Sequence, residues 1–487
     1  MQNVIQSITK HTKVVFIKQN KQKEMKKAIF IFAFFIGATG VLSAQTSNFL
    51  YHSYRIPQAN QQNPAFFPTN NQFYISLPAN NLQFGFPFAV SDLLRQGTSN
   101  EYDTLGNLTN VKDVLVIDMN KITDILNDNA RSYMGLDMNL LGFGFRVKQL
   151  FFTASAGVRT HLSIGFPSGF SKLLTEGLGN DQNTTISFAD GNLLQAQAYA
   201  EAALGVGYKI GPWTAGLRLK VLDGIADLST INTNISVTST PDMSALTGNL
   251  YYQLRGSYPD TLTASAFTSN WGVGVDLGAS FELGKFKFSA SILDLGKINW
   301  KANTHKITPE GSDSSFTFTG IDLNNVISNG QVNMDNLVDT AKINALLRYQ
   351  TTDGEAYATS LPTRFNLGAS WSPLDFLTVG ALFHGELSNG LFPQKDLKGI
   401  RDNIFRNSTA LMVNLHVGNW FEFMLANTMV YDGSHTKFIN PGFGINIGPQ
   451  AMQFYFLMDY MSSLSIVSNK QLNFSFGCNI LPINKKK

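Results

Sequence analysis

Apolar and polar residues alternate with period two through most of the chain beyond residue 73. Leu472, Phe474, Phe476, Cys478 and Ile480 share one face of a segment whose other face is Gln471, Asn473, Ser475, Gly477 and Asn479. The same rhythm sets Val273, Val275, Leu277, Ala279 and Phe281 against Gly274, Asp276, Gly278, Ser280 and Glu282. It also sets Leu411, Val413, Leu415 and Val417 against Met412, Asn414, His416 and Gly418. Successive side chains of a strand point to opposite faces, so each run predicts a strand with one apolar and one polar face. A soluble sandwich buries such an apolar face between sheets, whereas a membrane barrel turns it to lipid.

Run length and connection length separate the two. Many runs reach about 10 residues, which a tilted strand needs to cross a bilayer. Short turns at Lys148-Gln149, Gly211-Pro212, Leu283-Gly284-Lys285, Pro373-Leu374-Asp375, Gly418-Asn419 and Gly448-Pro449-Gln450 alternate with long connections near 89–132, 167–192, 224–267, 298–359, 387–406 and 463–469. Short turns at one rim and long loops at the other is the layout of an outer-membrane barrel. Strands are expected near 73–88, 133–147, 150–165, 193–209, 213–223, 268–283, 285–297, 360–372, 375–386, 407–417, 420–431, 437–448, 451–462 and 470–481. That makes an all-β, antiparallel transmembrane barrel of about 14 strands with both ends on the periplasmic side. The segment 226–258 also looks extended and is read as an extracellular hairpin. Counted as spanning, it raises the number to about 16, which is also even. Ser168–Gly177 and Val338–Gln350 have helical periods within long connections.

Composition agrees with this picture. The 487 residues are 44% hydrophobic and 12% aromatic but only 15% charged, with 41 glycines. The mean hydropathy of −0.03 excludes a bundle of membrane helices, and the aromatic content excludes a disordered chain. A net charge of +3 gives no reason to expect nucleic acid as a partner. The single cysteine, Cys478, permits no internal disulfide and no cysteine-based metal site.

The N-terminal region is expected to divide in three. Met25-Lys26-Lys27, the apolar run 28–40 and Leu42-Ser43-Ala44 have the layout of a cleaved signal peptide over 25–44, and a retained anchor is the competing reading. Residues 1–24 do not belong to such a signal and are read as an upstream extension of the true start at Met25. Residues 45–72 are rich in Asn and Gln and broken by Pro57, Pro64 and Pro68, so they either plug the lumen or lie across the periplasmic mouth. The barrel then occupies 73–481, and 482–487 is a basic tail.

Aromatic residues near strand ends (Trp213, Trp271, Trp300, Trp371, Trp420, Tyr431 and Tyr460) are read as interfacial girdles. Inward faces carry both charge signs: Arg159, Glu201, Arg218, Lys220, Asp276, Glu282, Lys285, Lys287, Glu422 and Asp459. A selective pore would favour one sign, whereas mixed signs suit internal pairing. His161, His384 and His416 also fall on inward faces. No nucleophile elbow, zinc-binding H-E-x-x-H or phosphate loop is present, so no catalytic, cofactor or metal residues are assigned and no enzyme is expected.

Three stretches carry a family resemblance. Asn63-Pro64-Ala65-Phe66-Phe67-Pro68 resembles the N-terminal segment of outer-membrane barrels abundant in Bacteroidetes, including the PorP/SprF type. Asp294-Leu295-Gly296, with Ile298 and Trp300, resembles the signature of an uncharacterised family in that group. Leu361-Pro362 through Gly368 is similar to a strand start of the same group. Asn63, Pro64, Asp294, Leu295, Gly296 and Trp300 are therefore taken as structural signature residues. The resemblance implies a 14-stranded barrel related to the fatty-acid transporter (FadL-like) type, in the outer membrane of a bacterium with type IX secretion. It implies no agreed activity and no cofactor. Its expected partners are the lipid bilayer, an exported surface protein or secretion component, and, in the alternative reading as a transporter, a hydrophobic small molecule.

Overall fold

The computed structural model describes residues 48–481 except 69–71, 87, 90–93, 103–107, 119–120, 122–130, 167–168, 170–171, 174–176, 178–184, 188–192, 240–244, 260–268, 311–314, 319–326, 329–330, 333–347, 393–404, 419, 432–435, 438–439, 449–450 and 462–469. The expected extension, signal peptide, basic tail and most of the helix read at 338–350 lie outside these residues. Tyr349 and Gln350, at the end of that helical reading, open a strand instead, because they pair with Pro309 and Thr308. Of the other helical reading, Gly169, Lys172 and Leu173 are helical.

The strands close into a 14-stranded antiparallel barrel. In chain order they are β1 (Phe73–Ser76 continued by Ala79–Gly85), β2 (Arg131–Val147), β3 (Leu150–Gly165), β4 (Leu194–Ile210), β5 (Trp213–Ser239), β6 (Trp271–Leu283) and β7 (Phe286–Trp300). They continue as β8 (Thr363–Leu374), β9 (Leu377–Leu387), β10 (Phe405–Val417), β11 (Phe421–Tyr431), β12 (Pro441–Ile447), β13 (Met452–Asp459) and β14 (Gln471–Ile480). Each pairs with the next, and β1 pairs with both β2 and β14, which joins the ends. Pro78 interrupts β1 where its missing N–H leaves the ladder one donor short.

Burial along the strands is the reverse of a soluble protein. Leu204 is 71% and Val273 63% exposed, whereas their polar neighbours Arg218 and Asp276 are 2% and 0% exposed. A belt of Leu, Val and Phe on the outside, with charge inside, is stable only where the outside solvent is hydrocarbon. Trp213, Trp271, Trp371 and Trp420 are exposed on this outer surface, as girdle residues would be.

Above the long-loop rim the wall continues as a sheet. The last third of β5 pairs with Leu246–Ser257, which pairs in turn with Thr304–Pro309, and that strand with Tyr349–Asp353. Residues 226–258 thus form a projecting hairpin, and the spanning count is 14. The connection after β1 holds a separate hairpin, Leu94–Tyr102 with Leu108–Ile117.

Candidate functional site

Residues 48–66 lie inside the barrel. A helical turn, Asn48–His52, is followed by a 3-10 turn, Pro57–Gln61. Their side chains bond to strands all around the wall, which places the segment in the lumen. Asn48 Nδ2 donates to Thr428 Oγ1 on β11 (3.1 Å), Tyr51 Oη donates to Ser289 Oγ on β7 (3.0 Å), and Gln58 Nε2 donates to Asn479 Oδ1 on β14 (2.8 Å). Phe49, Leu50, Tyr51, Ile56 and Phe66 pack on inward Leu382, Met412, Met424 and Leu457.

Asn63 and Pro64 occupy the tightest place. Asn63 is fully buried, and its Nδ2 donates to the carbonyls of Ala279 (3.3 Å) and Ala290 (3.1 Å), while its Oδ1 accepts from the Ala65 N–H (2.9 Å). The facing wall is Gly216 and Gly278. A Cβ on Gly216 would run into the Pro64 carbonyl, and one on Gly278 would stand 2.8 Å from Pro64 Cδ. These two positions require glycine because another backbone passes against them.

Burial sets the ionisation of the segment. His52 bonds through its ring nitrogens to Tyr54 Oη and the Ala381 carbonyl (3.1 Å each), and burial pulls its pKa down to about 4. Burial likewise raises the Tyr54 phenol above its usual range. The segment therefore presents a neutral imidazole at neutral pH.

Beside it, charges converge from β2 to β8. Arg159 pairs with Asp137 (3.3 Å) and Glu201 (3.5 Å), and Arg218 pairs with Glu201 (3.3 Å) and Asp276 (3.5 Å). Lys220 touches Glu201 (3.6 Å), Asp276 (2.9 Å) and Asp294 (2.5 Å), and Arg364 closes the network on Asp294. Four cations thus meet four carboxylates. A cavity of about 20 Å³ lies between this network and the segment, and another of about 10 Å³ lies beside Tyr74 and Arg218. The larger has room for about one water.

The signature Asp294-Leu295-Gly296 is the bulge that assembles this network. Val275 pairs with Leu295 but Leu277 pairs with Ile292, so Leu293 and Asp294 together face Asp276. Asp294 takes a left-handed φ of 61°, and its N–H donates to Asp276 Oδ1 (2.7 Å), so the donor displaced from the ladder is satisfied. Leu295 follows half-buried on the outward side. At Gly296 a Cβ would lie 2.7 Å from Gly274 Cα, so only glycine lets β6 and β7 close again.

The extra residue also flips the inward parity of β7, which corrects the girdle reading of Trp300. Ser289, Ser291 and Leu293 point inward before the bulge, and Asp294, Ile298 and Trp300 after it. Trp300 is fully buried, donates from Nε1 to Thr359 Oγ1 (2.8 Å), and packs with Tyr199, Leu222, Ile298 and Leu361. Tyr460 departs from the girdle for a similar reason. A left-handed φ of 65° after β13 turns it inward, where its Oη accepts from Asn48. Lys285, expected on an inward face, is exposed at its turn and donates to the Pro373 carbonyl.

His384 bonds to Asn366 (2.7 Å) on the inner wall, and His416 stands 3.4 Å from Glu422. Among the described residues no group of three or more His, Cys, Asp or Glu is placed to hold a metal. Sequence reasoning passed over Asp137 and Arg364. Their signal was present, since Arg364 and Asn366 alternate with outward Phe365 and Leu367.

An apolar exterior, a polar interior and 14 closed strands define an outer-membrane β-barrel, here with its N-terminal segment held in the lumen. The chain belongs to the Family of unknown function (DUF5723), whose family model matches residues 64–459. Among curated proteins none matches the sequence. Solved structures similar to it include the toluene transporter TbuX of Ralstonia pickettii, at 11% identity and a TM-score of 0.45 over 88% of this chain and 94% of that one. A FadL homologue of Pseudomonas aeruginosa is similar at 11% identity and a TM-score of 0.42, over 91% and 99%. The toluene transporter TodX of P. putida is similar at 9% identity and a TM-score of 0.40, over 87% and 92%.

Proposed function

We propose that this protein is a closed, non-enzymatic barrel that works through its extracellular rim, as an accessory or partner of an exported surface protein. The filled lumen carries the reading. The N-terminal segment acts as a plug, and beside it a balanced ionic network leaves spaces only about one water wide. An ion-selective path would expose an excess of one sign, and here every cation of the network meets a carboxylate. The wall meanwhile continues past the membrane as a sheet from β5 to Tyr349–Asp353, a rigid base for loops that bind.

Purification from native outer membrane in mild detergent tests this. A large exported protein or secretion component recovered in stoichiometric amount supports it. A barrel recovered alone, with a hydrophobic small molecule in its lumen, overturns it in favour of the second reading, a transporter of such molecules. One observation favours that second reading. Tyr199, Leu222, Ile298, Trp300 and Leu361 make an apolar patch inside the barrel on the long-loop side of the ionic network, where an apolar ligand arriving from outside would first rest.

A further inference from the structure

The lipid-facing wall is not uniformly covered. Across β4, β5, β6 and β7, in the half of the barrel nearest the short turns, it carries a groove of about 540 Å³. Val206, Tyr208, Leu217, Leu277 and Ile292 form its sides, and Ala215, Ala279 and Ala290 its floor. The floor is low because three neighbouring strands place alanine at outward positions in register, Ala215 opposite Ala279 and Ala279 opposite Ala290. Below it, towards the turns, Trp213 and Phe281 pack at 4.5 Å, and Phe286 stacks on Trp371 at 6.1 Å. Aromatic pairs at this height mark the level of lipid headgroups.

The inner side of the same wall is equally bare. Gly216 and Gly278 are the inward residues there, and the backbone of Asn63-Pro64 rests directly on them. Asn63 bonds the carbonyls of Ala279 and Ala290, the residues whose methyl groups make the groove floor. The plug thus braces the floor from behind, so the groove is a fixed shape.

We propose that this groove is a binding site for one acyl chain of a phospholipid of the periplasmic leaflet. The groove is continuous with the lipid-facing belt, so hydrocarbon is the medium that meets it. Its height and the aromatic row beneath it select the inner leaflet, whose chains descend from headgroups at the short-turn rim. Filling it removes apolar wall from a poorly packed boundary and gains dispersion contact that a flat wall does not offer. The site goes beyond the function proposed above, since it concerns the lipid side of the wall rather than the rim.

Native mass spectrometry of the whole protein released from its own outer membrane tests the site. One retained phospholipid is expected. The double variant Ala215→Leu, Ala279→Leu raises the floor with residues the belt already uses and should lower that retention about tenfold, equivalent to 1.4 kcal/mol. Equal retention by a folded variant, or retention of lipid A or a free fatty acid in place of phospholipid, overturns the proposal. If the double variant does not fold, crystals of the unaltered protein with a phospholipid brominated in its acyl chain decide it. Bromine density in the groove is expected, and a groove without bromine overturns it.

Discussion

The lumen wall has two chemically different sides. The inner faces of β9, β10, β11 and β13 present Leu382, Ala410, Met412, Met424 and Leu457, and the plug beds its Phe49, Tyr51 and Ile56 on them. The inner faces of β2 to β8 present Asp137, Arg159, Glu201, Arg218, Lys220, Asp276, Asp294 and Arg364, paired with one another. Apolar packing is tolerant of shape and indifferent to direction. Buried ions need every partner in place, since each one left alone retains its desolvation cost. The plug is therefore held by the forgiving side, while the fixed wall carries the demanding one, on strands whose ladder already sets the geometry.

The largest effect should come from breaking the ionic side at its centre. Lys220 touches three carboxylates, so Lys220→Met leaves Asp276 and Glu201 with fewer partners and should destabilise the barrel by about 3–5 kcal/mol. The loss should appear as a lower temperature for conversion of the folded to the unfolded band on a semi-native gel. A variant that melts with the parent would show that the network contributes little.

A second break acts at the seam between plug and wall. Gly216→Val places a side chain where the Pro64 backbone lies, so the plug should leave the lumen while the barrel persists. Single-channel recording in a planar bilayer should then show steady conductance where the unaltered protein shows none. A silent variant would mean that the ionic side alone seals the lumen.

How far the sequence displayed all this depends on the kind of feature. Period two is a property of single strands, so the strand spans, the barrel and the inward placement of Arg218, Lys220 and Asp276 could be read directly. Trp300 and Tyr460 could not, because each lies beyond a left-handed residue that changes which face follows, and nothing in the alternation marks Asp294 as the extra residue. The bonds of Asn63 to Ala279 and Ala290 join segments more than two hundred residues apart, and no local pattern encodes such a pairing. The two signature stretches were visible as motifs before their physical task was: one fits the plug to bare backbone, and the other turns β7 by one residue.

A pH change should loosen the plug without touching the wall's apolar bed. His52 is neutral in place, with its pKa drawn by burial from 6.5 down to about 4. A depressed base favours the native state fully above pH 6.5, because neither state then binds the proton. Between pH 6.5 and 4 only the released plug binds it, so seating should weaken by about tenfold per pH unit, and below 4 the effect levels off. Hydrogen exchange of the plug amides should follow that window. His52→Gln should remove it, and unchanged pH dependence in that variant would assign the effect to another group.

The smallest effect belongs to the apolar side. Met424 is fully buried beneath the plug, and its sulfur accepts a bond from Ser53 Oγ at 3.1 Å. Met424→Leu keeps the volume and loses only that weak acceptor, since Ser53 Oγ also donates to the Phe49 carbonyl at 2.6 Å. The cost should stay under about 1.5 kcal/mol, with the lumen still sealed in bilayer recordings. If this conservative change opened the lumen as readily as Gly216→Val, the plug would depend on close fit at every surface. The contrast between a forgiving bed and a demanding network would then have to be given up.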